Sequence, residues 1–204
     1  MLKPRVKNFK KYSKKMYRAI VIGGSLGGLE AVISILSELP DSFPLPVIVV
    51  LHRVKNQKSE LAEIIQSKCK IKVKEADEKE AILPGVVYIS PANYHLLVED
   101  EETFSLSNSE LVNYSRPSID VLFESAAEIY KENLIGILLT GANSDGSDGI
   151  NLISQYGGLT VVQDPQNARC DIMPKSAILK TKVDYIVNLA EISSLLLKLN
   201  KETA

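Results

Sequence analysis

Short apolar runs alternate with amphipathic segments along most of this 204-residue chain. A continuous apolar run such as Val47–Leu51 is typical of a strand buried on both faces of a sheet. Apolar residues three or four positions apart, as over Gly27–Leu39, predict a helix that buries one face. The predicted strands are Arg18–Ile22, Val47–Leu51, Ile71–Val73, Val86–Ile89, His95–Val98, Thr103–Leu106, Leu134–Leu139, Leu159–Val162 and Tyr185–Val187. The predicted helices are Gly27–Leu39, Ser59–Ser67 with Ser59 as its N-cap, Ser118–Tyr130, Gly149–Tyr156, Lys175–Leu179 and Ala190–Leu199.

Strands that alternate with helices predict an α/β fold, with a doubly wound, mostly parallel sheet, right-handed crossovers and helices on both faces. The four short strands between residues 71 and 106 are separated by turns and not by helical patterns. We therefore expect them to form hairpins, as an antiparallel extension at one edge of the sheet. No linker or internal repeat interrupts the pattern, so we expect one domain over residues 17–200.

Composition excludes several classes of protein. Hydrophobic residues make up 45% of the chain and charged residues 24%, which is ordinary for a globular domain and excludes a disordered chain or a coiled coil. Two cysteines and two histidines offer neither a disulfide framework nor a metal-ligand cluster, so we expect no metal, no cofactor and a cytoplasmic location. No run of about 20 apolar residues is present, so we expect no membrane span.

Charge is distributed unevenly along the chain. The formal net charge is only −1, which argues against general nucleic-acid binding. Residues 1–18 nevertheless hold eight basic residues and no acid, leaving 16 basic against 25 acidic residues in the rest. We expect residues 1–16 to form a basic extension without ordered structure, and the rest to form an acidic domain.

The glycine-rich turn after the first strand is the first candidate for chemistry. In Gly23-Gly24-Ser25-Leu26-Gly27, the residues Gly23, Ser25 and Gly27 fit G-x-S-x-G, the tight strand-to-helix turn that presents a nucleophilic serine. The free N–H groups at a helix start are suited to stabilising a developing oxyanion. A phosphate or nucleotide cradle and a plain tight turn remain alternatives, although Ser25 occupies the position of the middle glycine in the dinucleotide motif.

A histidine follows the second strand. His52 comes directly after Val47–Leu51, so it is placed at the carboxyl end of a buried strand, where ligands sit in such sheets. There it could serve as a general base for Ser25, or merely close the strand. His95 competes for the role of base, but it begins a hairpin-like strand outside the predicted parallel sheet, so it ranks second.

The loop after Leu134–Leu139 carries two aspartates. Asp145 could orient the histidine as the third member of a Ser-His-Asp triad. Asp148 is better suited to capping the helix predicted from Gly149. The spacing does not match a twelve-residue calcium loop. Ser25, His52 and Asp145 at three strand ends together favour a serine hydrolase, in a chain order that differs from the Ser-Asp-His order of α/β-hydrolases.

Seven stretches together resemble one known family, in order and over nearly all of residues 17–190. They are VIGGSLGGLEAV at 21–32, VVLHR at 49–53, LPGVVYISPANYHLLV at 83–98, RPSIDVLFESAAE at 116–128, GILLTGANSDGSDG at 136–149, GGLTVVQDPQNA at 157–168 and MPKSAI at 173–178. The chain is similar in these to the catalytic domain of the CheB-type chemoreceptor methylesterases.

The resemblance implies a serine hydrolase that demethylates glutamate γ-methyl esters on chemoreceptors and also deamidates receptor glutamines. It assigns the nucleophile to Ser25, the base to His52 and the aspartate to Asp145. The oxyanion donors it implies are the backbone N–H groups near Leu26 and Ala142.

The resemblance also implies partners. They are the cytoplasmic helices of methyl-accepting chemoreceptors as substrate, with a receptor methyltransferase or a separate receiver protein as further candidates. Arg53, Arg116 and the basic extension are candidate contacts with an acidic receptor surface.

Two departures from the family pattern affect the expectations. The family motif T-G-M-G reads Thr140-Gly141-Ala142-Asn143 here, which leaves a non-catalytic binding module of the same fold as an alternative. Asn143 stands where the family has glycine, and fewer backbone angles are open to it. Only about 16 residues precede the first strand, so we expect no receiver domain in this chain.

Overall fold

The computed structural model describes residues 15–52 and 60–203. Within them the strands are β1 (Ala19–Gly24), β2 (Val47–Leu51), β3 (Lys72–Glu75), β4 (Val86–Ile89), β5 (His95–Val98), β6 (Phe104–Ser107), β7 (Leu134–Leu138), β8 (Leu159–Gln163) and β9 (Tyr185–Val187). The helices are α1 (Gly28–Leu36), α2 (Leu61–Gln66), α3 (Ile119–Tyr130), α4 (Ser147–Gln155), α5 (Ile172–Lys180) and α6 (Leu189–Thr203). The predicted α/β class is confirmed.

Seven strands form one sheet in the order β3-β4-β2-β1-β7-β8-β9, and every pairing in it is parallel. The central strand is β1, whose Ile22 lies opposite Val49 of β2 on one side and Ile137 of β7 on the other. The chain therefore leaves β1 toward one edge and later returns to its other side. This reversal is the topological switch at which parallel sheets hold their ligands.

The prediction for the middle of the chain is wrong for two of its four strands. Strands β3 and β4 belong to the parallel sheet, because α2 carries the chain across and residues 76–85 return it without a helix. Only β5 and β6 form the expected antiparallel hairpin, which is a separate two-stranded sheet. Sequence periodicity could not predict this parallel pairing, because the connection between β3 and β4 contains no helical pattern.

Two helices begin two or three residues earlier than predicted. Helix α5 starts at Ile172, and Pro174 lies in its first turn, where the missing N–H has no intrahelical partner to lose. Helix α4 starts at Ser147 and not at Gly149. The predicted N-cap Ser59 lies outside the described residues, and so does most of the predicted basic extension, residues 1–14. The prediction for that extension stays a prediction.

Two apolar cores cover the two faces of the sheet. Ile20 and Ile22 of β1 face the core formed with α1, α2 and α6. Ala19 and Val21 alternate to the opposite core, which contains α3, α4, α5 and the β5–β6 hairpin. The predicted helices on both faces are thus confirmed. Within the described part of the chain, no helix is both long and apolar enough for a membrane span.

Candidate active site

The turn that carries Ser25 is fixed by backbone hydrogen bonds at the end of β1. The Ser25 N–H donates to the Thr140 carbonyl at 2.9 Å, and the Gly28 N–H donates to the Ser25 carbonyl at 2.7 Å. Gly27 is the residue before α1 and has a φ of 81°, which favours glycine. The half-buried Ser25 side chain lies beside Gly141, where an added Cβ would approach Ser25 Cβ to 3.0 Å.

His52 lies on the neighbouring strand end. Its N–H donates to the Gly24 carbonyl at 3.2 Å, so its backbone is joined to the residue before Ser25. The imidazole Nε2 lies 2.7 Å from Asp145 Oδ2, and Nδ1 lies 3.5 Å from Ser115 Oγ. Among the described residues, Ser25 Oγ has no hydrogen-bond partner. The structure therefore pairs His52 with Asp145 and brings Ser25 to the adjoining strand end.

Asp145 is a fully buried carboxylate with several hydrogen-bond donors around it. Oδ2 accepts hydrogen bonds from His52 and, at 2.7 Å, from the N–H of Ile119. Oδ1 accepts from Ser118 Oγ at 2.8 Å and from Asn113 Nδ2 at 3.0 Å. Burial opposes ionisation, but the bonds from His52, Ile119 and Asn113 outweigh it and lower the pKa of Asp145 to about 2. An ionised acceptor fixes the proton of a neutral His52 on Nε2 and leaves Nδ1 as the basic atom.

Glycines let the start of α3 reach this carboxylate. An added Cβ on Gly23 would lie 2.3 Å from Ile119 Cγ2, and one on Gly146 would lie 2.7 Å from the same atom. Side chains at either position would push Ile119 away from the sheet. The bare backbone there allows the Ile119 N–H to bond Asp145, and the positive end of the α3 dipole stabilises the negative charge.

Sequence reasoning missed four polar side chains around the His52–Asp145 pair. Asn113, Ser115 and Ser118 contact the pair directly, and Asp120 lies behind it. Ser118 and Asp120 fall within the RPSID stretch quoted for the resemblance, which is the signal that could have identified them. Asn113 and Ser115 lie in the loop before that stretch, and no local pattern marks them.

His95 has a different environment from His52. It is fully buried, and Nε2 donates to the Glu110 carbonyl at 2.9 Å. Its Nδ1 accepts the N–H of Ser118 at 3.2 Å. Because both ring nitrogens are engaged by backbone groups, His95 fixes the loop before α3 and is not free to take a proton from a serine.

The two candidate oxyanion donors are close to Ser25 along the chain or through Gly141: Leu26 follows Ser25 directly, and Ala142 follows Gly141, whose added Cβ would approach Ser25. Leu26 is in the turn before α1, and Ala142 is an exposed residue in the loop after β7. In the residues that the structure describes, neither backbone N–H has a hydrogen-bond partner. Both donors are therefore available to a ligand at the carboxyl end of β1.

Asn143, the departure from the family's glycine, does not have a positive φ. Glycine's conformational freedom is thus not needed at this position. The side chain has a local partner instead, because Asn143 Oδ1 accepts the N–H of Asp145 at 3.3 Å. The departure leaves the backbone of the loop compatible with the buried carboxylate.

The candidate substrate contacts have different positions. Arg53 lies outside the described residues. Arg116 is half-buried, and its guanidinium donates to the carbonyls of Asn108 and Ser109 at 2.6 Å each. Arg116 thus ties the loop before α3 together, while still adding positive charge near the site.

The capping role predicted for Asp148 is wrong. Helix α4 is preceded by Gly146, so Asp148 lies inside its first turn and forms an exposed ion pair with Lys180. The N–H of Gly149 is instead accepted by Asp120 Oδ1 at 2.8 Å. The acceptor for this N–H at the start of α4 is therefore a carboxylate of the neighbouring helix α3 and not the side chain of Asp148.

Sequence comparisons identify one family. The profile described as CheB methylesterase matches residues 20–196. A Leptospira interrogans protein named protein-glutamate methylesterase/protein-glutamine glutaminase is 51% identical over 185 residues, covering 91% of this chain and 96% of that protein. A Borreliella burgdorferi protein named as a protein-glutamate methylesterase is 40% identical over 93% of this chain and 51% of its own length.

The fold has a solved counterpart. The crystal structure of the Thermotoga maritima CheB methylesterase catalytic domain superposes with a TM-score of 0.86 and 35% sequence identity. The match covers 90% of this chain and 98% of that domain. The likeness is therefore to a whole catalytic domain and not to a single motif.

Proposed function

Because the chain belongs to the CheB methylesterase family, we propose that it is a serine hydrolase that removes methyl groups from glutamate γ-methyl esters of chemoreceptors. The observation that carries the proposal is the 2.7 Å contact between His52 Nε2 and the buried Asp145 carboxylate, beside the turn of Ser25. Relatives that are also named glutaminases support a second activity, the deamidation of receptor glutamines.

The reaction begins at Ser25. His52 Nδ1 takes the hydroxyl proton as Ser25 Oγ attacks the ester carbonyl, and Asp145 stabilises the imidazolium that forms. For this transfer Ser25 Oγ turns toward Nδ1, the nitrogen that the Asp145 contact leaves open. Catalytic hydrogen bonds in free enzymes commonly tighten only when substrate is bound.

The oxyanion of the tetrahedral intermediate is stabilised by backbone N–H groups. We assign this role to Leu26 and Ala142, whose amides have no partner among the described residues. Each well-placed donor is worth about 3 kcal/mol of transition-state stabilisation. Collapse of the intermediate returns the proton from His52 to the leaving methoxide, and methanol departs. Water, activated by His52, then hydrolyses the glutamyl ester of Ser25.

The substrate is a protein surface, so the site must be open to solvent. Leu26 and Ala142 are exposed at its rim, which suits a side chain presented by a receptor helix. Positive charge from Arg53, Arg116 and the basic extension complements acidic receptor helices. Because the methylated helices of chemoreceptors lie in the cytoplasm, we place the protein there. We propose a receptor methyltransferase and a separate receiver protein as further partners of the protein.

Methanol release tests the proposal directly. The protein is mixed with membranes that carry methylated chemoreceptors, and methanol is measured with the wild type and with Ser25→Ala. We expect release with the wild type alone. A fluorophosphonate probe should label the wild type and leave Ser25→Ala unlabelled. Absence of both signals from the folded wild type would favour a non-catalytic binding module of the same fold.

A further inference from the structure

A second buried carboxylate, which the proposed reaction does not use, lies behind Asp145. Asp120 is in the first turn of α3 and is 3% exposed. Its Oδ1 accepts the N–H of Gly149 at 2.8 Å, and its Oδ2 accepts Asn113 Nδ2 at 2.8 Å. Both oxygens therefore act as acceptors, which is the arrangement of an ionised carboxylate.

Asn113 joins the two carboxylates. Its single side-chain amide nitrogen donates to Asp120 Oδ2 and also, at 3.0 Å, to Asp145 Oδ1. The backbone N–H of Asp120 donates to Asp145 Oδ1 at 3.2 Å. Asp145 thus binds the start of α3, while Asp120 of α3 binds the start of α4. Because each carboxylate accepts a hydrogen bond from the helix start next to the other, a change in the charge of one carboxylate affects the position of the other.

The charge around Asp120 is mainly negative. Burial is the largest influence on this carboxyl, and together with the charges of Asp145 and Asp148 it outweighs the Gly149 hydrogen bond and raises the pKa of Asp120 to about 7. Strands β1 and β7, which also pack on α3, contribute no titratable side chain. The charged groups that act on Asp120 directly are Asp145 and Asp148. Around these two, His52 contacts Asp145, Lys180 pairs with Asp148, Glu124 follows on the same helix, and His95 of β5 contacts Ser118 at the start of that helix.

We propose that Asp120 is a positioning residue, whose ionised carboxylate holds Asn113 and Gly149 so that Asp145 directs its full charge at His52. This inference rests on the proposed hydrolysis. When Asp120 takes up a proton, one of its oxygens changes from acceptor to donor. The strongest nearby acceptor is Asp145, whose charge is then drawn toward Asp120 and away from His52. The pH dependence of kcat should therefore contain a transition near neutral pH that reports the ionisation of Asp120.

The variant Asp120→Asn tests this role, because an amide at this position imitates the protonated carboxyl. We expect kcat for a small ester to fall about tenfold at pH 8, with little change in KM, since loss of one neighbouring charge changes such an equilibrium by about one pKa unit. The ratio of wild-type to variant kcat should shrink toward one below pH 6. The matched control is Asp77→Asn, which removes an exposed charge paired with Lys74 and should leave the ratio flat.

A wild-type to Asp120→Asn ratio that stays constant between pH 5.5 and 9 overturns the proposal, because a purely structural residue would not create a pH-dependent ratio. A variant as active as the wild type at pH 8 overturns it as well.

A second measurement does not depend on the folding of Asp120→Asn or on catalysis. The side-chain carboxyl carbon of Asp120 is followed by ¹³C NMR in the Ser25→Ala protein, with its signal assigned by sequential backbone connectivity. We expect a midpoint near pH 7, and a midpoint below pH 5 overturns the proposal. If instead the wild type hydrolyses no ester while Asp120 titrates near pH 7, the proposed function fails and the inferred charge coupling does not.

Discussion

His95 and Ser118 are joined by a hydrogen bond from the Ser118 N–H to the His95 ring at 3.2 Å. Ser118 Oγ in turn donates to Asp145 at 2.8 Å. The hairpin histidine thus supports the buried carboxylate through the residue that precedes α3. This relationship gives His95 a structural role, and His52 remains as the proposed base.

For His95→Ala we expect a loss of about 2–4 kcal/mol in the free energy of unfolding, because the change leaves a cavity and an unpaired Ser118 N–H in the core. The folded fraction should keep most of its kcat on a small ester. His52→Ala should lower kcat by several orders of magnitude with little loss of stability. Thermal melts and ester hydrolysis measure both. Should His95→Ala be the inactive variant while His52→Ala is nearly silent, the assignment of the base is wrong.

Ser25→Ala and His52→Ala are expected to cost about the same in kcat, singly or together, because a nucleophile and its base act as a unit. Ser115→Ala is the matched control, since Ser115 Oγ is the hydroxyl found near His52 Nδ1. That variant should retain activity within a few-fold and keep its fluorophosphonate label. A label lost in Ser115→Ala and retained in Ser25→Ala would identify Ser115 as the nucleophile.

Asp145→Asn should be inactive and less stable. The amide brings N–H donors into a site where both oxygens accept hydrogen bonds, so at least one donor loses its partner. We expect about 2–3 kcal/mol of destabilisation and a fall in kcat of about 10⁴-fold, as in other triads that lose the orienting aspartate. Asp148→Asn, which breaks only an exposed ion pair, should change stability by less than about 1 kcal/mol and leave kcat unchanged.

Acid should weaken the fold through Asp145. Its pKa in the folded protein is about 2, below the value of about 3.9 expected for the unfolded chain. The stabilisation is therefore fully present above about pH 4 and is lost as the pH falls from about 4 to about 2. Denaturant unfolding at a series of pH values should show a stability gap between wild type and Asp145→Asn that is level near pH 5 and narrows below pH 4. A gap that widens in acid would contradict the lowered pKa.

Gly146→Ala should be among the most damaging glycine substitutions. Gly146 has a φ of 89°, and an added Cβ would lie 2.5 Å from Leu138 Cδ1 and 2.7 Å from Ile119 Cγ2. We expect a loss of about 3 kcal/mol or more from strain and overpacking, with reduced activity because Ile119 is displaced from Asp145. Gly157→Ala is the control, since its φ is also positive but the nearest atom to the added Cβ is 3.7 Å away. It should cost about 1–2 kcal/mol and leave kcat intact.

Some features could be read from short stretches of sequence because they depend on local patterns. Continuous apolar runs identified β1, β2 and β7, since a strand buried on both faces has no polar side to show. The end of each of these strands then marked Ser25, His52 and Asp145. Parallel strands bring their carboxyl ends to one edge of the sheet. Three reactive residues that each follow such a strand therefore already indicated a single site.

Other features depended on contacts between distant segments. Strands β3 and β4 looked like a hairpin, but in the folded chain they pair in parallel with each other, and β4 also pairs in parallel with β2. Likewise, Asp148 had the sequence position of a helix cap, but Asp120, 29 residues before Gly149, bonds that N–H in the folded chain.

The sequence by itself therefore determined the fold class, the three strand ends and the residue types placed there. Tertiary structure alone decided which partners surround Asp145, which histidine is paired with it, and that Asn113 contacts the pair while Asp120 lies behind it. The physical reason is that hydrophobic periodicity is set by each residue's own neighbours in the chain, whereas a buried carboxylate is stabilised by whichever donors the packed helices bring within about 3 Å.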